Sequence, residues 1–218
     1  MHKGIIFDMD GVLADTEGYY TGRRDEYLRL MGYRRREETD FTGSNEKALW
    51  ETMVPHDPEL RRELMMGYRA YRKLHPIPFQ KLLDPQVEPL FRALKANGLK
   101  IGIASSSDPK AIAALVQAAG VEALVDSQIS GEQCKAHKPD PEIYLRSLEA
   151  LGLNAAEALA VEDSPTGILS AKRAGLTVLA LKPRHGEPLD QSLADVVIPQ
   201  LMDVTNSLST NLCGQNCR

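Results

Sequence analysis

Asp8 and Asp10 stand two residues apart in Asp8-Met9-Asp10-Gly11-Val12-Leu13, directly after the apolar run Gly4-Ile5-Ile6-Phe7. Like charges held that close repel. The pair is therefore either a capped turn or a place where a cation settles between hard oxygen ligands, for which Mg²⁺ is suited. A second cluster, Ser105-Ser106-Ser107-Asp108, follows Ile103-Ala104. Hydroxyls and backbone N–H groups there either cap the next helix or seat an anion. In His137-Lys138-Pro139-Asp140-Pro141 a lysine precedes a proline-initiated helix; alone it reads as a solvated turn residue. Val161-Glu162-Asp163-Ser164 sets two adjacent carboxylates after another apolar run, as caps or as metal ligands.

These residues must be positioned by the elements that precede them. Short apolar runs recur at Gly4–Phe7, Leu99–Ala104, Val125–Ile129, Ala158–Val161, Thr177–Leu181 and Val196–Ile198. Runs of that length bounded by Gly, Pro or Asp are typical of strands buried on both faces. Between them lie amphipathic stretches at Pro109–Ala119, Pro141–Leu151 and Pro165–Ala174, followed by Gly120, Gly152 and Gly175. Proline in the first turn and glycine after the last is the asymmetry of helix ends. Alternating β and α implies a doubly wound parallel sheet, an α/β fold with a Rossmann-like core. In such a sheet ligands bind at the carboxyl ends of the strands, so the four clusters are expected to converge.

One segment breaks the alternation. From 16 to 82 no strand pattern occurs, and helical periodicity runs over Tyr19–Met31, Glu46–Met53 and Leu60–Leu74 before Pro76-Ile77-Pro78. The expected organisation is a core of 1–15 and 83–218 with a helical cap domain of 16–82 inserted after the first strand. Two linkers near 15 and 80 would let it close as a lid.

In this order, each after its own strand, the four clusters resemble the haloacid dehalogenase-like hydrolase superfamily. Phe7-Asp8-Met9-Asp10-Gly11-Val12-Leu13 and Val161-Glu162-Asp163-Ser164-Pro165-Thr166-Gly167 are similar to its helical-cap, phosphoglucomutase-like branch. The resemblance implies catalytic roles for four residues. Asp8 would be the nucleophile that forms an aspartyl phosphate. Asp10 would protonate the leaving group and later deprotonate water. Ser105 would hydrogen-bond the phosphoryl group, and Lys138 would neutralise charge beside it. It also implies Mg²⁺ held by Asp8, the Asp10 main-chain carbonyl and Asp163, with Glu162 in direct contact or one layer behind.

The superfamily also contains dehalogenases, phosphonatases and sugar-phosphate mutases. Asp10 with Glu162-Asp163 argues against a dehalogenase. The arginine-rich insert, with only Lys47, Lys73 and Lys81 nearby, argues against the cap lysine of a phosphonatase. The mutases of this branch carry a histidine on the first cap helix, where this chain has Tyr20. They also carry an arginine after the substrate loop, where Thr42-Gly43-Ser44-Asn45 leads to Glu46. A carboxylate there would repel a bisphosphate. The expectation is a Mg²⁺-dependent phosphatase acting on a small phosphomonoester, a sugar phosphate, with a β-phosphoglucomutase-type mutase as the alternative. Glu17, Tyr20, Thr42, Gly43, Ser44, Glu46 and Ser106 are the substrate-binding candidates. A non-catalytic binding module is disfavoured because no catalytic position is lost.

Composition closes off other classes. The chain has 218 residues, 43% hydrophobic and 26% charged, with net charge −4. That size buries a core without disulfides or metal staples, and its slight acidity leaves no basic footprint for nucleic acid. No apolar run approaches the roughly 18 residues of a membrane span, and the first apolar run is too short for a signal peptide. Cys134, Cys213 and Cys217 are too few for a disulfide framework. The expectation is a cytoplasmic monomer whose partner is a small phosphorylated molecule, with no nucleic acid and no membrane.

Overall fold

The structure, a computed structural model, describes residues 2–33, 46–184 and 188–213; of 46–48 and 209–213 it describes the backbone. In chain order the elements are β1 (Gly4–Phe7), α1 (Glu17–Leu30), α2 (Glu46–Met53), α3 (Pro58–Leu74), α4 (Phe79–Leu82) and α5 (Val87–Ala96). They continue as β2 (Lys100–Ser105), α6 (Pro109–Ala119), β3 (Ser127–Ser130), α7 (Glu142–Leu151), β4 (Ala158–Glu162) and α8 (Pro165–Arg173). The chain then runs through β5 (Thr177–Leu181), β6 (Val196–Ile198) and α9 (Val204–Cys213).

All six strands pair in parallel, in the order β3-β2-β1-β4-β5-β6. Helices cover both faces, as the doubly wound reading requires. On one face α7 lies against β2 and β3 and α8 against β4 and β5, around Ile6, Ala104, Ile143, Tyr144, Ala160 and Ile168. On the other, α5 packs on β2 and α6 on β3, and Phe7 meets Phe91 with ring centroids 5.0 Å apart. Ile5, Ile6 and Phe7 of β1 are wholly buried. Each such side chain contributes roughly 1.5–3 kcal/mol, so the central strand is anchored firmly enough to carry a carboxylate out of its end.

The register sets where the clusters fall. Phe7 stands opposite Ile103 on one side and Val161 on the other. Asp8, Ser105 and Glu162 therefore leave the sheet at the same edge. The helices that follow start as their sequences imply: Asp108 accepts from the N–H groups of Lys110 and Ala111, both at 3.0 Å, ahead of Pro109 in α6. Ser164 accepts from Gly167 N at 3.1 Å at the head of α8.

The chain divides into two compact units, Met1–Asp15 with Phe79–Arg218, and Thr16–Pro78. The second crossing falls at 78/79 instead of 82/83. Phe79 is buried, Leu82 O accepts from Asp15 N at 2.8 Å, and Leu83 bridges Ala14, so α4 belongs to the sheet unit. The Thr16–Pro78 unit holds α1, α2 and α3 around Tyr27, Leu28, Trp50, Met53, Leu64 and Tyr68. Arg23 is buried there, its Nη1 donating to His75 O at 2.8 Å. A cation on the last carbonyls of α3 is favourable.

Candidate active site

The loop leaving β1 is tight. Leu13 N and Ala14 N both donate to Met9 O, and Gly11 N donates to Ala14 O. Met9, Val12 and Leu13 are fully buried and pin the loop from below. Arg184 holds it from the side, donating to Val12 O at 2.9 Å and to Asp84 Oδ2 at 2.6 Å. The Asp8 carboxylate is thereby fixed at the head of the central strand, 7% exposed.

Lys138 reaches Asp8 from the segment before α7. Its Nζ donates to Asp8 Oδ1 at 2.6 Å, Glu162 Oε1 at 2.5 Å and Ala104 O at 3.2 Å. Three acceptors use the three N–H bonds of an ammonium. Glu162 Oε1 also accepts from the buried Tyr144 hydroxyl at 2.6 Å, while the Tyr144 ring lies 5.2 Å from Lys138 Nζ. Burial pushes the Asp8 carboxyl well above the usual carboxylate range; Lys138 pulls it back, and the charges of Glu162 and Asp10 push it further up. For Lys138, burial alone would lower the value, but Asp8 and Glu162 hold it well above an ordinary lysine. The lysine is charged, and it is one cation among several carboxylates.

Two glycines make room for those carboxylates. Gly11 has φ +81°, and a Cβ there would stand 2.0 Å from Asp163 Oδ2. A Cβ on Gly167 would meet the Glu162 carboxylate at 2.0–2.1 Å. With that space kept open, Asp8, Glu162 and Asp163, all buried, bring carboxylate oxygens within 4.8 Å of one another. Three buried acids, two of them on Lys138, gather negative charge in a dry place, and a hard dication offsets such charge. The residues present therefore fit a divalent metal.

Asp10 points its carboxylate elsewhere. Its Oδ2 accepts from Ser107 Oγ at 2.8 Å and Ser105 Oγ at 3.2 Å, and Ser105 Oγ in turn accepts from Ser107 N at 3.0 Å. Ser130 Oγ donates to Ser107 O at 2.7 Å, tying the serine loop to the end of β3. Ser105 is wholly buried, whereas Ser106 is exposed. Asp8, Asp10, Ser105, Lys138, Glu162 and Asp163 are thus gathered at one edge of the sheet: a lysine-bound carboxylate, a hydroxyl-held carboxylate and a buried acid pair.

A family model for haloacid dehalogenase-like hydrolases matches residues 2–175. The chain belongs to this family. It is 30% identical to a phosphorylated carbohydrates phosphatase from Thermotoga maritima, covering 80% of this chain and 82% of that one. It is 31% identical to a beta-phosphoglucomutase from Bacillus subtilis, covering 94% and 93%. The crystal structure of a beta-phosphoglucomutase from Clostridium difficile superposes with a TM-score of 0.77 over 98% of this chain and 100% of that one. At 22% identity that likeness shows the fold.

In this hydrolase the remaining substrate-binding candidates lie in the Thr16–Pro78 unit. Glu17 and Tyr20 stand half-buried on α1, with the Arg23 guanidinium 5.6 Å from the Tyr20 ring. Thr42, Gly43 and Ser44 fall outside the described residues, and Glu46 is described by its backbone alone, as the first residue of α2. Sequence reasoning missed Tyr144 and both hydrogen bonds on Asp10, from Ser105 and Ser107. The spacing of α7 carried a signal for the first: Tyr144, Ser147, Leu148 and Leu151 form its buried stripe, and a tyrosine on such a stripe needs an acceptor for its hydroxyl. Among the described residues, no helix is long and apolar enough to cross a membrane.

Proposed function

We propose that the chain is a Mg²⁺-dependent phosphatase that hydrolyses a small phosphomonoester, a sugar phosphate, through an aspartyl phosphate on Asp8. The observation that carries this reading is the buried Asp8 carboxylate, fixed through Oδ1 by Lys138. Its other oxygen attacks phosphorus, and the bond from phosphorus to the sugar oxygen breaks. Asp10 gives its proton to the leaving alkoxide, then takes one from the water that attacks the aspartyl phosphate and frees Asp8. The Ser107 and Ser105 hydroxyls that donate to Asp10 hold its carboxylate in place. In the complex Ser105 redirects its hydrogen to a phosphoryl oxygen, and Lys138 offsets the charge that gathers between nucleophile and phosphate.

Asp8, Asp163 and the Asp10 main-chain carbonyl would hold the Mg²⁺, with Glu162 in direct contact or one layer behind. When bound, it supplies positive charge that lets a carboxylate approach a phosphate dianion. Relatives that act on phosphorylated carbohydrates support the substrate class.

The 31% identity to a beta-phosphoglucomutase keeps a mutase as the second reading. Tyr20 and Glu46 in place of the histidine and arginine of such mutases favour transfer to water. The test is phosphate release with Mg²⁺ or chelator across sugar phosphates, nucleotides and glycerol phosphate, with β-glucose 1-phosphate plus a catalytic bisphosphate apart. Mg²⁺-dependent phosphate release from sugar phosphates supports the phosphatase. Formation of glucose 6-phosphate without phosphate loss replaces it with the mutase.

A further inference from the structure

Asp163, like Asp8 after β1, stands one residue past the end of its strand, β4. The β4–β5 ladder runs as far as Glu162 opposite Ala180, and from there β4 gives way to the head of α8. Beyond that point the main-chain carbonyls of Asp163 and Leu181 have no ladder to bind them together. Gln191, buried in the segment between β5 and β6, supplies the missing tie. Its Nε2 donates to Asp163 O and to Leu181 O, each at 2.7 Å. Both acceptors are carbonyls, so the nitrogen end of the amide must face them.

The geometry points to Gln191 as a positioning residue for the metal-binding acid Asp163, an inference that rests on the metal reading of the cluster. Asp163 is held at both ends of its own peptide units: its N–H donates to Glu162 Oε2 at 3.2 Å, and its carbonyl is held by Gln191. Its carboxylate lies against the bare face of Gly11, where a Cβ would come within 2.0 Å of Oδ2. With the backbone clamped and that wall in place, the side chain has little freedom in where it presents its oxygens to Asp8 and Glu162. Removing the clamp leaves two buried carbonyls short of a donor and lets the turn between β4 and α8 shift. Partners one layer behind a metal ligand commonly change metal affinity by roughly ten- to a hundredfold.

The test is calorimetric titration of the full-length chain with Mg²⁺ alone, comparing wild type with Gln191→Met and Gln191→Asn. Methionine keeps the length and removes both donors. Asparagine keeps an amide but is too short to span both carbonyls, and it stays useful if the methionine variant does not fold. Circular dichroism confirms folding in each case, and thermal midpoints measured without metal separate the structural cost. The expected result is a Mg²⁺ dissociation constant raised roughly tenfold or more in a folded variant, with KM for any turned-over phosphomonoester changed less than kcat at saturating Mg²⁺. A folded variant that binds Mg²⁺ within twofold of wild type overturns the role of Gln191 and leaves the active site as proposed. A wild type that binds no Mg²⁺ at millimolar concentration overturns both.

Discussion

At the scale of residues, the site is an arrangement of charges that burial makes unstable alone and workable together. Asp8→Asn removes one acid from the cluster and leaves the Lys138–Glu162 pair at 2.5 Å in place. Phosphate release is expected to fall by roughly a thousandfold or more, with a metal-free thermal midpoint unchanged or higher; turnover above a few per cent would place the nucleophile elsewhere. Gly167→Ala tests the packing of Glu162. On a helix, alanine for glycine ordinarily stabilises by about 0.5–1 kcal/mol. Here the new Cβ stands 2.0–2.1 Å from the carboxylate, so the sign is expected to reverse, with a loss of about 1–3 kcal/mol in denaturant unfolding. The motif residues Asp8, Asp10, Ser105, Lys138, Glu162 and Asp163 were legible because each sits where an apolar run ends. Tyr144, Ser107 and Gln191 were not. Their roles depend on where the chain brings them in space: Gln191 is 28 residues from Asp163, and a glutamine in a polar loop looks solvated until the fold buries it.

At the scale of elements, the inner strands and the proline-led helices correspond closely to those in the structure, because a strand covered on both faces must be apolar throughout; at the sheet edges β3 is Ser127–Ser130 instead of 125–129, and β6 exposes Val196 and Val197 instead of burying both faces. The helix Val87–Ala96 escaped notice. Pro89 looks like a helix breaker, yet it lies in the first turn, where a missing N–H costs nothing; Val87, Leu90, Phe91 and Leu94 form the buried stripe. The last strands are joined by a charged device that can be tested. Asp195 accepts from Val178 N at 2.7 Å and from Lys172 Nζ at 2.8 and 2.7 Å, fixing the approach to β6 against β5. Burial raises its carboxyl, but Lys172 and the Val178 N–H outweigh that, and the net shift is downward. A group whose proton affinity drops on folding adds stability that is complete above its unfolded value of about 3.9 and fades as pH falls through the lower folded value. The stability gap between wild type and Asp195→Asn is expected to be level from pH 7 to about pH 5 and to close below about pH 4. The pair is over a third exposed on the Asp195 side, so the gap is small, within roughly 1 kcal/mol. A gap that widened on acidification would show that Asp195 is not held as a carboxylate.

At the scale of the whole molecule, membership of the haloacid dehalogenase-like hydrolases was readable because four separated clusters occur in one order. The specificity of the chain was not, since most candidates for it lie in the Thr16–Pro78 unit, where arginine and tyrosine serve equally as core or surface. Arg23 is one such case, buried against tyrosine rings. Bound metal is expected to raise the stability of the folded chain by about 2.7 kcal/mol at a hundred times its dissociation constant. A thermal midpoint that ignores Mg²⁺ would count against the acidic cluster as its site. The central claim is that Asp8 carries the phosphoryl group. It is tested most directly by quenching turnover of a hydrolysed sugar phosphate in acid, reducing with borohydride and sequencing the peptides by mass spectrometry. An aspartyl phosphate reduces to homoserine, and the expected result is homoserine at position 8 and at no other aspartate, absent when substrate is left out. Rapid turnover that leaves Asp8 unmodified, or an adduct on a different residue, would contradict it.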